Sequence, residues 1–225
     1  MRGFTWQVET AHPVAIDSLD HLHPFGTATD NHRSDAFCQR LRDLLKTENP
    51  PSILDIGCAG GAMVSDMWSQ GWDAIGIEGS DYSLINRRAE WEYFAGECLF
   101  TADATKPFTI QRKSEDGIFT ARFDVVTAWE VLEHIEETDL DCFLDNITFH
   151  IKTDGYFICS IASFPSPHDG VELHRTLREP AWWEAKLREH WLVRDISAEQ
   201  HFEGNWVRTG TANFVLRLNP GRDST

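Results

Sequence analysis

Paired cysteines are the first thing this sequence lacks. Its five cysteines (Cys38, Cys58, Cys98, Cys142 and Cys159) are odd in number, widely scattered and never in Cys-x-x-Cys spacing. That excludes a disulfide framework and a cysteine-held zinc, and fits free, buried thiols in a reducing compartment. Basic residues are also scarce: 20 Lys+Arg stand against 36 Asp+Glu, a net charge of −16. This sign repels polyanions, so nucleic acid and anionic membrane surfaces are poor partners. No apolar run approaches the roughly 20 residues that span a bilayer. Met1–Trp6 opens without the apolar core of a signal peptide, so the expected location is cytoplasmic. Internal repeats and low-complexity tracts are missing too. What remains is ordinary globular material. A chain of 225 residues, 41% hydrophobic and 12% aromatic, suffices for one domain with elaborations and needs no staple to fold.

Residues 1–50 read as a lead-in. As far as residue 30 it is irregular and rich in His, Pro, Gly and Asp, with a turn-like His23-Pro24-Phe25-Gly26-Thr27. Asp30 or Asn31 then caps a helix from about His32 to Thr47, with Phe37, Leu41, Leu44 and Leu45 as its apolar stripe. Pro50-Pro51 ends it. Over 51–218 strands alternate with helices. Strands are expected at Ser52–Ile56, Ala74–Ile77, Cys98–Ala102, Phe123–Ala128, Tyr156–Ile161, Leu192–Ile196 and Asn213–Leu218. Helices are expected at Ala62–Gln70, Asp81–Phe94, Val131–Ile151 and Glu179–His190, with a hairpin over Thr109–Arg122 turning at Asp116-Gly117. Only a loop is expected between the last two strands, and residues 219–225 read as a tail. The alternation predicts an α/β fold: a doubly wound, seven-stranded, mostly parallel sheet with the last strand antiparallel. Ligands of such sheets bind beyond the carboxyl ends of the strands.

Three acids fall at those ends. Ile53-Leu54-Asp55-Ile56-Gly57-Cys58-Ala59-Gly60-Gly61 runs from a strand into a glycine turn and a helix. It is neither Gly-x-Gly-x-x-Gly nor a phosphate loop, and Asp55 would repel a pyrophosphate but pair with an ammonium. Glu78 ends the next strand, where an acid accepts from ribose hydroxyls. Asp103 ends the third and suits an adenine amino group. Together they fit a cationic, ribosylated purine without phosphate. With Asp103-Ala104 and Phe123-Asp124-Val125-Val126-Thr127-Ala128-Trp129-Glu130-Val131-Leu132-Glu133-His134, these motifs resemble the class I S-adenosylmethionine-dependent methyltransferases, in their Leu-Glu-His subgroup, over about residues 50–218. The resemblance implies a Rossmann-like methyltransferase fold and S-adenosylmethionine as cofactor, with S-adenosylhomocysteine as product. It places Asp55, Gly57 and Gly60 at the methionine part, Glu78 at the ribose, and Asp103 and Ala104 at the adenine, with Cys58, Gly79, Ser80 and Trp129 as further cofactor-binding residues.

On the acceptor side, Glu130, Glu133 and His134 stand at i, i+3 and i+4, which is one face of the expected helix. With His174, or His168, from the loop after the fifth strand, they would form a divalent-metal site. Similar Glu-x-x-Glu-His sequences hold a metal in small-RNA 2′-O-methyltransferases and ubiquinone-pathway O-methyltransferases. The plainer reading weighs more: acids in a first helical turn favour the dipole, and many methyltransferases carry Leu-Glu-His without metal. Without metal, His134 or His174 would serve as general base. Pro165–Trp191 forms the acceptor wall, with Arg175 or Arg178 for an anionic group and Trp182 or Trp183 for a ring. Residues 23–31 would fold over the cofactor as a lid. The reading is thus methyl transfer to a small-molecule or glycan hydroxyl by a monomer or homodimer. The alternatives are a metal-dependent RNA-end 2′-O-methyltransferase and a catalytically silent cofactor-binding module.

Overall fold

The computed structural model describes residues 3–47 and 49–218; the expected tail at 219–225 lies outside the described residues. The chain opens with strand β1 (Phe4–Thr10), the short helices α1 (Leu19–Leu22) and α2 (Phe25–Thr29), and α3 (Asp35–Leu45). Then come β2 (Ser52–Ile56), α4 (Ala62–Ser69), β3 (Asp73–Glu78), α5 (Tyr82–Ile85), α6 (Trp91–Phe94) and β4 (Leu99–Thr101). A hairpin of β5 (Phe108–Ser114) and β6 (Gly117–Thr120) leads to β7 (Phe123–Trp129), α7 (Leu140–His150) and β8 (Ile151–Ile161). The short pair β9 (Pro167–His168) and β10 (Val171–Glu172) precedes α8 (Pro180–Glu189), β11 (Leu192–Arg194), α9 (Ile196–His201) and β12 (Ala212–Leu218).

Seven strands form the sheet, as expected from the alternation, and they pair in the order β11-β12-β8-β7-β2-β3-β4. The run from β8 to β4 is parallel, and β12 lies antiparallel to both β8 and β11. Burial explains the parallel part. Every residue of β2 (Ser-Ile-Leu-Asp-Ile) is buried, as a strand covered by helices on both faces must be. The parallel register brings Asp55 beside Gly76 and Thr127, and Glu78 beside Thr101, so strand-end acids gather along one edge.

Several local expectations are corrected. Residues 4–10 are not irregular but form β1, antiparallel to β5, with Trp6 buried against Phe4 and Phe123. Helix α3 starts at Asp35 behind a Ser34 cap, because Asp30 and Asn31 are used elsewhere. The expected Asp81–Phe94 helix breaks after Ile85, where Arg87 and Ala89 take left-handed backbone (φ 50° and 51°). The break turns the Arg88 guanidinium onto the Asp30 carbonyl (2.7 Å) and the Trp91 Nε1–H onto the Ala59 carbonyl (2.7 Å). Likewise the expected Val131–Ile151 helix starts only at Leu140, after two 3-10 turns at Leu132–His134 and Glu137–Asp139. Helix α9 stands where a plain loop was expected before the last strand.

Candidate active site

The cradle is built from strand ends. At the end of β2 the chain turns at Gly57 (φ 76°), where a Cβ would drive into Val131. At Gly60 a Cβ would collide with Asn31 Oδ1 and lie 2.8 Å from Arg88 Nη1. Only glycine lets the N-terminal segment lie this close to the turn. Asn31 Oδ1 accepts the Ala62 N–H (3.1 Å) and so caps α4 rather than α3, since Gly61 has no side chain to do it. The Asp30 carbonyl accepts the Gly60 N–H (3.1 Å).

Asp55 is only 4% exposed. Burial pushes its carboxyl up to about 7, although the Thr127 hydroxyl donates to it at 2.6 Å and opposes the shift. Glu78 is 6% exposed, and burial raises it as well. Its Oε2 accepts the Ala59 N–H (2.7 Å), while Oε1 accepts from the Ser80 N–H (3.3 Å) and the Thr27 hydroxyl (3.4 Å). Cys58 is buried beside both acids, and its thiol is pushed well up by desolvation and then by Glu78 and Asp55. Gly79 accepts the Ala15 N–H at its carbonyl (2.9 Å), and Ser80 Oγ stands 3.4 Å from His21 Nδ1. Asp103 turns Oδ1 onto the Thr105 N–H and hydroxyl (2.9 and 2.6 Å), and its own N–H donates to the His12 carbonyl (2.9 Å). Ala104 presents its carbonyl to Asn146 (2.9 Å). Residues 11–31 therefore run along the whole edge, from Asp103 past Gly79 and Glu78 to Gly60. At the end of this run Asp30 lines a cleft together with His32, Asp55, Gly57, Met63, Trp129 and Arg208, among others. Its space, about 20 Å³, suits roughly one water.

On the acceptor side the expected helix face does not exist, because Glu130 takes left-handed backbone (φ 55°) and a 3-10 turn follows. Glu133, His134 and His174 nevertheless meet, their ligand atoms all within 4.8 Å of one another. Glu130 is not brought into that group; its Oε2 stands 3.9 Å from Arg208 Nε instead. Glu133 is fully buried, and burial pushes it up to about 7. Its Oε1 accepts the Ala162 N–H (2.7 Å), and its Oε2 has no hydrogen-bond partner among the described residues. His174 Nδ1 faces the Phe164 carbonyl at 2.6 Å. A carbonyl only accepts, so Nδ1 carries the proton and Nε2 keeps a lone pair. Burial holds His174 below the ordinary histidine range. His134 differs. Burial alone would lower it, but Asp20 Oδ1 at 3.0 Å, with Glu133 and Glu130, holds it above its usual value. The Asp20 contact has ion-pair distance without hydrogen-bond geometry. The two imidazoles cross edge to face, with centroids 4.7 Å apart.

His168 lies outside this group and stacks on Phe25 at 3.9 Å. Arg175 and Arg178 are paired with Glu136 (2.6 Å) and Glu137 (2.7 Å), which weakens the expectation that either is a ready anion site. Trp183 is buried in the core, while Trp182 is half-buried with Arg178 over its ring. Sequence reasoning missed Asp20 and Arg208, and placed Thr27 only in the covering segment without its bond to Glu78. Each reaches the site from a segment without periodicity, and only the three-dimensional contacts reveal it.

Comparison with known proteins bears on the family and the fold. A family model described as a methyltransferase domain matches residues 30–208. A ubiquinone biosynthesis O-methyltransferase of Rickettsia canadensis is 30% identical over 168 residues, which is 75% of this chain but 56% of the relative. The chain thus spans little more than half of that relative's length. A solved S-adenosylmethionine-dependent methyltransferase from Clostridium acetobutylicum superposes with TM-score 0.59 at 14% identity, covering 88% of this chain and 97% of the other. The 1,6-didemethyltoxoflavin-N1-methyltransferase of Burkholderia thailandensis, solved with S-adenosylhomocysteine, gives TM-score 0.54 at 19% identity, covering 88% and 82%. At such identities the structural likeness establishes the fold.

Proposed function

The chain belongs to the methyltransferase-domain family of class I S-adenosylmethionine-dependent enzymes, and on that premise we propose that it methylates a hydroxyl of a small molecule, sugars and glycans included. The observation that carries this reading is the pair of buried carboxylates, Asp55 and Glu78, at the ends of adjacent parallel strands around a glycine turn. They fit a cationic nucleoside. Burying two acids side by side is costly unless a positive ligand joins them. The cleft beside them also holds two buried N–H donors without partners among the described residues, Trp129 Nε1 and Arg208 Nε.

Bound there, the nucleoside supplies an electrophilic methyl on a sulfonium. Asp55 would hold its ammonium, Glu78 its ribose, and Asp103 with Ala104 its adenine. Residues 11–31 act as the lid that excludes water. The chain's remaining task is to position and deprotonate the acceptor. His174 is the better base at neutral pH: its Nδ1–H is anchored on Phe164, and burial favours the neutral ring. His134, biased toward the charged form by Asp20, orients the acceptor oxygen. The relative's printed name, an O-methyltransferase, supports oxygen as the acceptor atom. Among the described residues no helix is long and apolar enough to cross a membrane. A cytoplasmic monomer or homodimer acting without nucleic acid is the rest of this reading, and the charge of −16 supports the exclusion of RNA.

The test is turnover to S-adenosylhomocysteine across a panel of sugars, phenols and alcohols. Wild type should turn over at least one of them. His174→Ala should lower kcat by about 10²- to 10⁴-fold while leaving nucleoside affinity unchanged. Full activity in that variant would remove His174 as base. Nucleoside binding without turnover of any acceptor would favour a silent cofactor-binding module. A second reading has its own support. Glu133 Oε2, without a partner among the described residues, and the two imidazoles offer ligands for a divalent cation that would orient acceptor oxygens. Loss of turnover in chelator, restored by added Mg²⁺, Mn²⁺ or Zn²⁺, would select it over the metal-free base.

A further inference from the structure

The loop before β12 sends Arg208 into the cleft, where its Nη2 pairs with Asp30 Oδ2, a residue 178 positions away. Arg208 Nε is buried and has no hydrogen-bond partner among the described residues; Glu130 Oε2 is 3.9 Å from it. Trp129 lines the same cleft and also keeps a buried Nε1–H without a partner. A buried donor without an acceptor is unfavourable, and two of them on one cleft wall call for an anionic ligand group. Around them stand carboxylates. Asp30 and Asp55 line the cleft, and Asp55 feels the charges of both Asp30 and Arg208.

One guanidinium set among several acids is the complement of an α-amino-acid head, which carries a carboxylate and an ammonium on one carbon. A guanidinium offers a planar fork that matches a carboxylate. The other arginines nearby are committed. Arg33 is held by Asp66 and Glu90, and Arg88, though its Nη1 lacks a partner, packs behind Gly60 and does not line the cleft.

Resting on the methyltransferase reading above, we infer that Arg208 is the anchor for the carboxylate of the nucleoside's amino-acid head, with the Trp129 N–H as second donor. The ligand carboxylate takes the place of Asp30 on Arg208. Asp30 is thereby released to join Asp55 opposite the ammonium. Arg208 so selects the intact amino-acid head over nucleosides that lack the carboxylate, and it links the N-terminal segment to the β12 loop across the cleft mouth.

The experiment is calorimetric titration with two probes, S-adenosylhomocysteine and its decarboxylated analogue, which keeps the ammonium and loses only the carboxylate. Wild type should prefer S-adenosylhomocysteine. Arg208→Ala should weaken S-adenosylhomocysteine by about 10- to 100-fold, as expected for loss of a charge-assisted pair. It should leave the decarboxylated probe within about twofold, removing the preference. Trp129→Phe should reproduce part of that loss. Unfolding curves check that each variant folds; if Arg208→Ala does not, Arg208→Gln serves in its place. Equal weakening of both probes, or no weakening of either, would overturn the assignment while leaving the methyltransferase reading standing. If wild type binds neither probe, that reading itself fails and takes this one with it.

Discussion

Asp55 shows how one residue couples fold to chemistry. Held up to about 7, its carboxyl is largely protonated below that pH and charged above it. A cationic ligand prefers the charged form. Affinity for S-adenosylmethionine should therefore rise as pH increases from 6 to 8, and Asp55→Asn should flatten the profile. Titration at several pH values checks this, and an affinity that falls over that range would show the carboxyl is not at the cation. Gly60 carries a second prediction. Gly60→Ala must displace Asn31 and Arg88, an overpacking that costs about 1–3 kcal/mol. That corresponds to a Tm lower by roughly 2–12 °C, together with weaker nucleoside binding. Asp55, Glu78 and the glycine turn were legible in the sequence because chemistry and spacing coincide there. Glu130 was misplaced for a physical reason: the i, i+3, i+4 rule presumes a helix, and the left-handed turn at Glu130 leaves none.

At the scale of elements, the N-terminal segment matters most. Thr27 in α2 donates to Glu78, Asp20 in α1 faces His134, and Phe25 stacks on His168. One segment thus touches both cofactor and acceptor sides. The cleft that Asp30 of this segment helps to line has room for roughly one water, so on the proposed function the segment would have to move to admit a nucleoside. Hydrogen exchange should show residues 11–31 opening readily alone and severalfold more protected with S-adenosylhomocysteine, while β1 stays protected in both. Unchanged exchange over 11–31 would remove the lid. Deleting residues 1–30 outright is a poor test, because it also strips β1 and the buried Trp6 from the hairpin sheet. The parallel strands were readable as short apolar runs between helices. Strand β1 was overlooked although Phe4, Trp6 and Val8 alternate with polar residues as in a half-buried strand, because its partner, β5, lies about a hundred positions away.

The whole molecule carries an electrostatic load that function explains. Asp55 (3.8 to about 7) and Glu133 (4.5 to about 7) are raised by folding, so the stability they contribute is present at low pH and lost as pH rises through 7. His150, stacked on Phe108, is lowered by burial from 6.5 to about 4, so its contribution is present above 6.5 and lost as pH falls toward 4. Between about 4.5 and 6.5 the folded state then holds two protons on these groups and the unfolded state one. On this balance the ligand-free protein should lose on the order of 1 kcal/mol per pH unit as pH rises from about 5 to 7. The charge of −16 adds repulsion in the same direction. Denaturant unfolding across that range checks it, and S-adenosylmethionine should restore stability most at the alkaline end. The central claim is that buried strand-end carboxylates bind a positively charged sulfur nucleoside. Its most direct test is calorimetry with S-adenosylmethionine at pH 8 on wild type, Asp55→Asn and Glu78→Gln. Saturable binding by wild type, weakened about tenfold or more in each variant, is the expected result; absence of binding by wild type, or equal affinity in all three, would contradict it.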